Sequence, residues 1–77
     1  MKLTFAQWLK LRRDMMELTQ AAIASELGIR PQTVSHWEKG TTIPNLNPEQ
    51  TLRLCRLLKV TLEELVRGFR GEVGIDD

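Results

Sequence analysis

A cluster of polar side chains between residues 31 and 39 has the chemistry of a nucleic-acid reader. Glutamine can form paired hydrogen bonds with adenine, threonine and serine can bond to bases or phosphates, and histidine and lysine can donate to guanine or phosphate. Val34 and Trp37 are three residues apart in the same segment, so they would form a buried edge of a helix that starts at Pro31. The opposite side of that helix would carry the polar set: Gln32, Thr33, Ser35, His36 and Lys39.

The segment before this cluster predicts the helix that would support it. Thr19 is a good N-cap for a helix that begins at Gln20, and that helix would end at Gly28, a residue that tolerates positive φ. Ala24 is small, so it would let a second helix cross closely. Two short helices joined by a glycine-containing turn form a helix-turn-helix unit. Free N–H groups at the start of the first helix also attract phosphate.

Capping signals predict three further helices and no strands. Thr4 with Gln7 opens a helix to about residue 17, Asn47 with Gln50 opens one to about residue 59, and Thr61 with Glu64 opens a short one. The predicted fold class is therefore all-α, with five helices in one domain over residues 1–67. The glycine-rich segment 68–77 is predicted to be a flexible C-terminal tail.

Several linked positions resemble the Cro/C1-type (XRE family) helix-turn-helix domain. The resemblance extends over about residues 4 to 67 and includes the stretch Leu-Thr-Gln at 18–20 and Trp-Glu-Lys-Gly at 37–40. With Gln20 counted as first, the small residue is fifth, the glycine ninth, the branched residue fifteenth and the aromatic residue eighteenth. The resemblance implies a lambda-repressor-like fold and sequence-specific binding of double-stranded DNA.

The resemblance also implies a role for individual residues. Gln20, beside Thr19, matches a phosphate-contacting glutamine, and Gln32, Thr33 and His36 match positions that contact bases. Lys39 and Thr41 match contacts to the DNA backbone, and Arg13 with Glu38 matches a structural ion pair. Two positions depart from the family pattern: Arg30 replaces the usual Ser/Thr cap and would reach a phosphate, whereas Pro31 cannot make the base contact that some relatives make there.

Composition narrows the possible functions. The chain has 77 residues, a net charge of +1, one cysteine (Cys55) and one histidine, so neither a disulfide framework nor a closed zinc site is expected. No carboxylate pair or nucleophile–base pair predicts an enzyme, and no cofactor is expected. No apolar run is long enough to span a bilayer, and no signal peptide is expected, so a cytoplasmic protein is predicted.

Two hypotheses remain open at this point. The first is a small transcriptional regulator that acts as a homodimer on two half-sites, since one unit contacts only a few base pairs. Its dimer surface would come from the last helices, the tail, or the apolar residues Trp8, Leu11 and Met15. The alternative is a protein-interaction module, such as the antitoxin of a toxin–antitoxin pair. Trp37 and Cys55 are predicted to lie in the core, and Trp8 either in the core or in a subunit contact.

Overall fold

The computed structural model describes residues 1–74 and shows five α-helices. Residues 75–77, the end of the predicted tail, lie outside the described part of the chain. None of the helices in the described part is long and apolar enough to cross a membrane. In chain order the helices are α1 (Phe5–Met15), α2 (Gln20–Leu27), α3 (Pro31–Lys39), α4 (Pro48–Leu58) and α5 (Leu62–Phe69).

Side-chain caps fix where four of the helices begin. Thr4, Asn47 and Thr61 each accept a hydrogen bond from the backbone N–H three residues later and complete a capping box. Thr19 accepts from the N–H of Ala22 at the start of α2. The fifth start, at α3, has Pro31 in its first turn and no side-chain cap from Arg30. The predicted starts therefore agree with the structure.

The ends of two helices differ slightly from the prediction. α1 stops at Met15 rather than near residue 17, because Glu17 adopts a left-handed conformation with φ of 56°. The N–H of Leu18 then donates to the carbonyl of Arg13 and closes the turn. α4 ends at Leu58 because Lys59, with φ of 57°, adopts the same conformation.

The helices enclose one apolar core. Leu9, Val34, Leu54 and other members have essentially no exposed surface. Trp37 and Cys55 are buried as predicted, and Trp8 belongs to the core, since only 3% of it is exposed. Trp8 is therefore not available as a subunit contact. The buried set is Leu3, Trp8, Leu9, Ile23, Ala24, Leu27, Val34, Trp37, Leu54, Cys55, Leu58 and Leu65.

The C-terminal segment packs on the N-terminus, contrary to the prediction of a flexible tail from residue 68. α5 continues to Phe69, whose ring stacks on Phe5 with centroids 4.3 Å apart. Gly68 lies so close to the Trp8 ring that an added Cβ would be 2.6 Å from it. The N–H of Leu3 donates to the carbonyl of Val73 at 2.9 Å. The predicted boundary at residue 67 is thus too early, because residues 68–74 contribute to the same packed unit.

Candidate nucleic-acid interface

The turn between α2 and α3 sets the position of the polar cluster. Gly28 adopts φ of 71°, and the N–H of Ile29 donates to the carbonyl of Ala24 at 2.9 Å. Only 1% of Ala24 is exposed, since its small side chain lies in the core under the crossing. Val34 and Trp37 anchor α3 in that core. Because a helix buries one stripe, the remaining side of α3 faces outward.

The predicted contact residues on α3 fall into two groups. Gln32, His36 and Lys39 are exposed, as a contact role requires, whereas Thr33 and Ser35 are only half-buried and lie at the edges of the outward side. Beyond the two ends of α3, Arg30 and Thr41 are exposed as well. The structure therefore brings a glutamine, a histidine and two cationic side chains to one exposed helix and its ends.

Thr41 is already engaged by the end of α3. Its N–H and its hydroxyl both donate to the carbonyl oxygen of His36, each at 3.1 Å. These bonds follow Gly40, whose φ is 79° and whose N–H also donates to the His36 carbonyl, and together they close the C-terminal end of α3. A contact from the Thr41 hydroxyl to an acceptor such as phosphate would have to replace its bond to His36.

Glu38 lies behind the exposed side of α3 and is the centre of a polar cluster. Its carboxylate accepts from Arg13 twice, from Nε at 2.6 Å and from Nη2 at 3.0 Å, and its side chain is 4% exposed. Arg13 also donates through Nη1 to the carbonyl of Leu18 at 2.8 Å. The hydrogen bonds that Arg13 donates to Glu38 raise the pKa of Arg13 against the opposing effect of burial. The two residues that the resemblance pairs are therefore in contact.

Gln20 joins the same cluster from the start of α2. Its Nε2 donates to Oε1 of Glu38 at 3.0 Å, which leaves one N–H of that amide for another acceptor. Its neighbour Thr19 uses its hydroxyl oxygen as the α2 cap, and the hydroxyl proton stays free to donate. Both side chains keep a donor, and Thr19 is exposed while Gln20 is half-buried.

Arg12 has a structural role that the sequence did not indicate. Its Nη2 donates to the carbonyl of Leu58 at 2.8 Å and to that of Lys59 at 3.3 Å, so it caps the C-terminal end of α4. The acceptors lie 46 and 47 residues away along the chain. No local pattern links positions so distant, although the lack of a glycine at the end of α4 could have suggested a missing cap.

Within residues 1–74, no group of His, Cys, Asp or Glu side chains could hold a metal ion. The exposed cations at the ends of α3, Arg30 and Lys39, are hydrogen-bond donors. The carboxylate on α3, Glu38, is already paired with Arg13 and Gln20. The arrangement therefore offers hydrogen-bond donors and positive charge to an external ligand.

Comparisons with known proteins agree with the fold. A profile of the helix-turn-helix family matches residues 9–65. The P22 c2 repressor in complex with a synthetic operator superimposes with a TM-score of 0.69 at 27% identity, over 86% of this chain and 97% of that one. The DNA-binding domain of the P22 c2 repressor in solution gives a TM-score of 0.71 at 26% identity, over 88% and 87% of the two chains.

An enzyme also contains a similar region. The (S)-2-hydroxypropylphosphonic acid epoxidase of Streptomyces wedmorensis is 50% identical over 36 residues, which are 47% of this chain and 18% of the enzyme. A structure of that epoxidase gives a TM-score of 0.64 at 38% identity, over 79% of this chain and 31% of the enzyme chain. The matched part of this chain thus spans about a third of the epoxidase chain.

Proposed function

The chain belongs to the helix-turn-helix family, and from that premise we propose that it binds double-stranded DNA sequence-specifically, with α3 in the major groove. It would act as a small transcriptional regulator by occupying its site. One observation carries the proposal: α3 is anchored by Val34 and Trp37 while Gln32, His36 and Lys39 are exposed on its other side. The P22 c2 repressor complex with operator DNA supports it through the shared fold.

The donors around α3 divide into two proposed roles. Gln32 and His36 would bond to base edges, with Thr33 and Ser35 at the margins of the contact. Arg30, Lys39, Thr41 and the start of α2 at Thr19 and Gln20 would bond to phosphates and set the register of the protein on the duplex. Because one such unit contacts few base pairs, we propose that two copies bind two half-sites about one helical turn apart.

The sharpest test combines duplex selection with salt-dependent titration. A random-duplex selection would give the preferred site, and Gln32→Ala or His36→Ala should then weaken binding by about 1–3 kcal/mol. Both variants should keep the wild-type far-UV circular dichroism spectrum, since both side chains are exposed. If neither change altered affinity for the selected site, the proposed contact face would be wrong.

A matched charge pair separates phosphate contacts from overall charge. Lys39→Ala removes a cation at the end of α3 and should reduce the magnitude of the negative slope of log K against log salt by about 1. Arg56→Ala removes the same charge from an exposed position on α4 and should leave the slope unchanged. Equal slopes for the two variants would contradict a phosphate contact from Lys39.

A protein-interaction module, for example an antitoxin, is the second candidate. The similar region in the epoxidase, at 38% identity, shows that this fold also occurs within a larger enzyme chain. A groove of about 420 Å³ between α1 and α5, with exposed Leu11 and Met15 in its wall, could accept a protein partner. Failure to select any duplex with folded protein would favour this candidate. We propose no enzymatic activity for the chain itself.

A further inference from the structure

The loop between α3 and α4 exposes an isoleucine beside the proposed DNA surface. Ile43 is 76% exposed, and among the large apolar side chains of residues 1–74 only Met1 is more exposed. A single exposed aliphatic side chain is common on a protein surface. Ile43 is distinguished by its position, because it lies four residues after Lys39, the last residue of the helix that we place in the major groove.

The loop is anchored on both sides of Ile43. Before it, Thr41 donates to the carbonyl oxygen of His36 through its N–H and its hydroxyl, each at 3.1 Å. After it, Leu46 packs half-buried against the core. Between these anchors, Ile43 and Lys39 both line a groove of about 470 Å³ whose other wall is the start of α1. The exposed isoleucine therefore has a defined place next to Lys39.

The loop offers no cation to a phosphate. Its seven residues, Thr-Thr-Ile-Pro-Asn-Leu-Asn at 41–47, carry no charged side chain. If Lys39 bonds to a phosphate, as proposed above, the duplex backbone passes close to Ile43, because the two side chains line one groove. An isoleucine side chain has no donor for the phosphate oxygens. It can gain only by burial against an apolar part of the duplex.

A duplex has two apolar groups that could meet this side chain. One is the methyl group of thymine, which lies in the major groove, where Gln32 and His36 are proposed to contact bases. The other is the deoxyribose ring, which presents its C–H groups along the backbone between phosphates. Because Ile43 adjoins the proposed phosphate contact of Lys39, its position favours the deoxyribose ring.

We propose that Ile43 packs on a deoxyribose of the duplex backbone, beside the phosphate that Lys39 contacts. The proposal rests on the proposed function and adds an apolar contact to its hydrogen-bond donors. It also makes binding sensitive to the sugar. A ribose at that position would place its 2′-hydroxyl against an aliphatic side chain that offers it no hydrogen-bond partner, so this contact favours deoxyribose over ribose.

Titration of a duplex with one half-site of the selected sequence tests the contact. Ile43→Ser should weaken binding by about tenfold, and Ile43→Val by about threefold or less, since valine keeps most of the apolar surface. Neither change should alter the slope of log K against log salt, because an apolar contact releases no counterions, whereas Lys39→Ala should reduce its magnitude. Met15→Gln, at a 55% exposed position in the groove between α1 and α5, should leave affinity unchanged. Thermal melts verify that every variant is folded.

Modified duplexes identify the group that Ile43 contacts. Deoxyuridine in place of thymidine removes the methyl groups, and wild type should still bind about tenfold more tightly than Ile43→Ser. Single ribonucleotides, placed in turn along the half-site and its flanks, should include a position at which ribose weakens wild type but not Ile43→Ser. If the difference between the two proteins disappeared on the deoxyuridine duplex, or if no such ribose position existed, the deoxyribose contact would be overturned.

The two proposals fail in different ways. If folded wild-type protein selects no duplex, the proposed function is overturned and the Ile43 contact with it. If the half-site duplex binds wild type and Ile43→Ser equally, only the Ile43 contact is overturned, and DNA binding through α3 stands. A change in salt slope with Ile43→Ser would also overturn an apolar contact.

Discussion

Replacement of Glu38 by alanine should destabilise this domain more than any exposed charge replacement. The change would leave Arg13, whose side chain is 13% exposed, without the carboxylate that accepts two of its hydrogen bonds. Removing one partner of a buried ion pair typically costs about 3–5 kcal/mol, because the other charge stays buried. Arg13 would keep its bond to the Leu18 carbonyl and an approach of 3.5 Å to Asp14.

These remaining partners place the expected loss at or somewhat below the lower limit of that range. We expect the free energy of unfolding to fall by about 2–3 kcal/mol. For a domain of this size each kcal/mol lowers Tm by about 4–8 °C, so Tm should fall by roughly 10–20 °C. Glu38→Gln keeps the shape and one acceptor oxygen and should lose less.

Urea unfolding followed by far-UV circular dichroism measures this loss directly. Glu49→Ala is the matched control, because its carboxylate pairs with Arg53 at 2.9 Å while 72% of its side chain is exposed. That control should change stability by less than about 0.5 kcal/mol. A Glu38→Ala loss no larger than the Glu49→Ala loss would refute the assignment of the Arg13–Glu38 pair as a buried contact that stabilises the fold.

Further predictions concern a close contact and a pH effect. Gly68→Ala should lower stability by about 1–3 kcal/mol in thermal melts, because the new Cβ would be 2.6 Å from the Trp8 ring. A gain in stability, as at an open helical site, would contradict that packing. Gly28→Ala has open space but a φ of 71°, so strain alone should cost about 1–2 kcal/mol. The pKa of Glu64 is lowered from 4.5 chiefly by its hydrogen bond from the Thr61 backbone. Its stabilisation is therefore present above pH 4.5 and is lost as the pH falls through the lower folded pKa. Urea midpoints should consequently decrease more steeply below pH 4.5 for wild type than for Glu64→Gln, and parallel decreases would contradict the shift.

The sequence predicts where helices begin better than where they end. Four of the five starts carry a polar cap three residues before its partner, as in Thr61 and Glu64, α3 starts with Pro31, and this chemistry is local. The ends of α1 and α4 depend on left-handed conformations at Glu17 and Lys59. Neither residue type favours that conformation, so the surrounding packing determines it and no local signal reports it.

Contacts between distant residues explain the other differences. The spacing of Ala24, Gly28 and Trp37 predicts the outward side of α3, because it depends only on helix periodicity and one turn. The bond from Leu3 to Val73 and the Phe5–Phe69 stack join the two ends of the described chain. The local sequence near residue 70 shows only its glycines, which are typical of a flexible tail, and not these distant partners. Such pairings become visible only once the whole chain is folded.

Glu38 connects stability with the geometry of the proposed DNA surface. The same carboxylate holds Arg13, which joins α1 to α3, and Gln20, which stands at the start of α2. A loss of DNA affinity in a Glu38 variant would therefore have two causes, partial unfolding of the domain and release of the Gln20 amide. Such a loss would not identify Glu38 as a residue that contacts DNA. The side chains of Gln32 and His36 are exposed. Within residues 1–74, neither forms a hydrogen bond to the Glu38 cluster. Their substitution changes the outward surface while the supporting ion pair stays intact, so those two positions isolate recognition from folding.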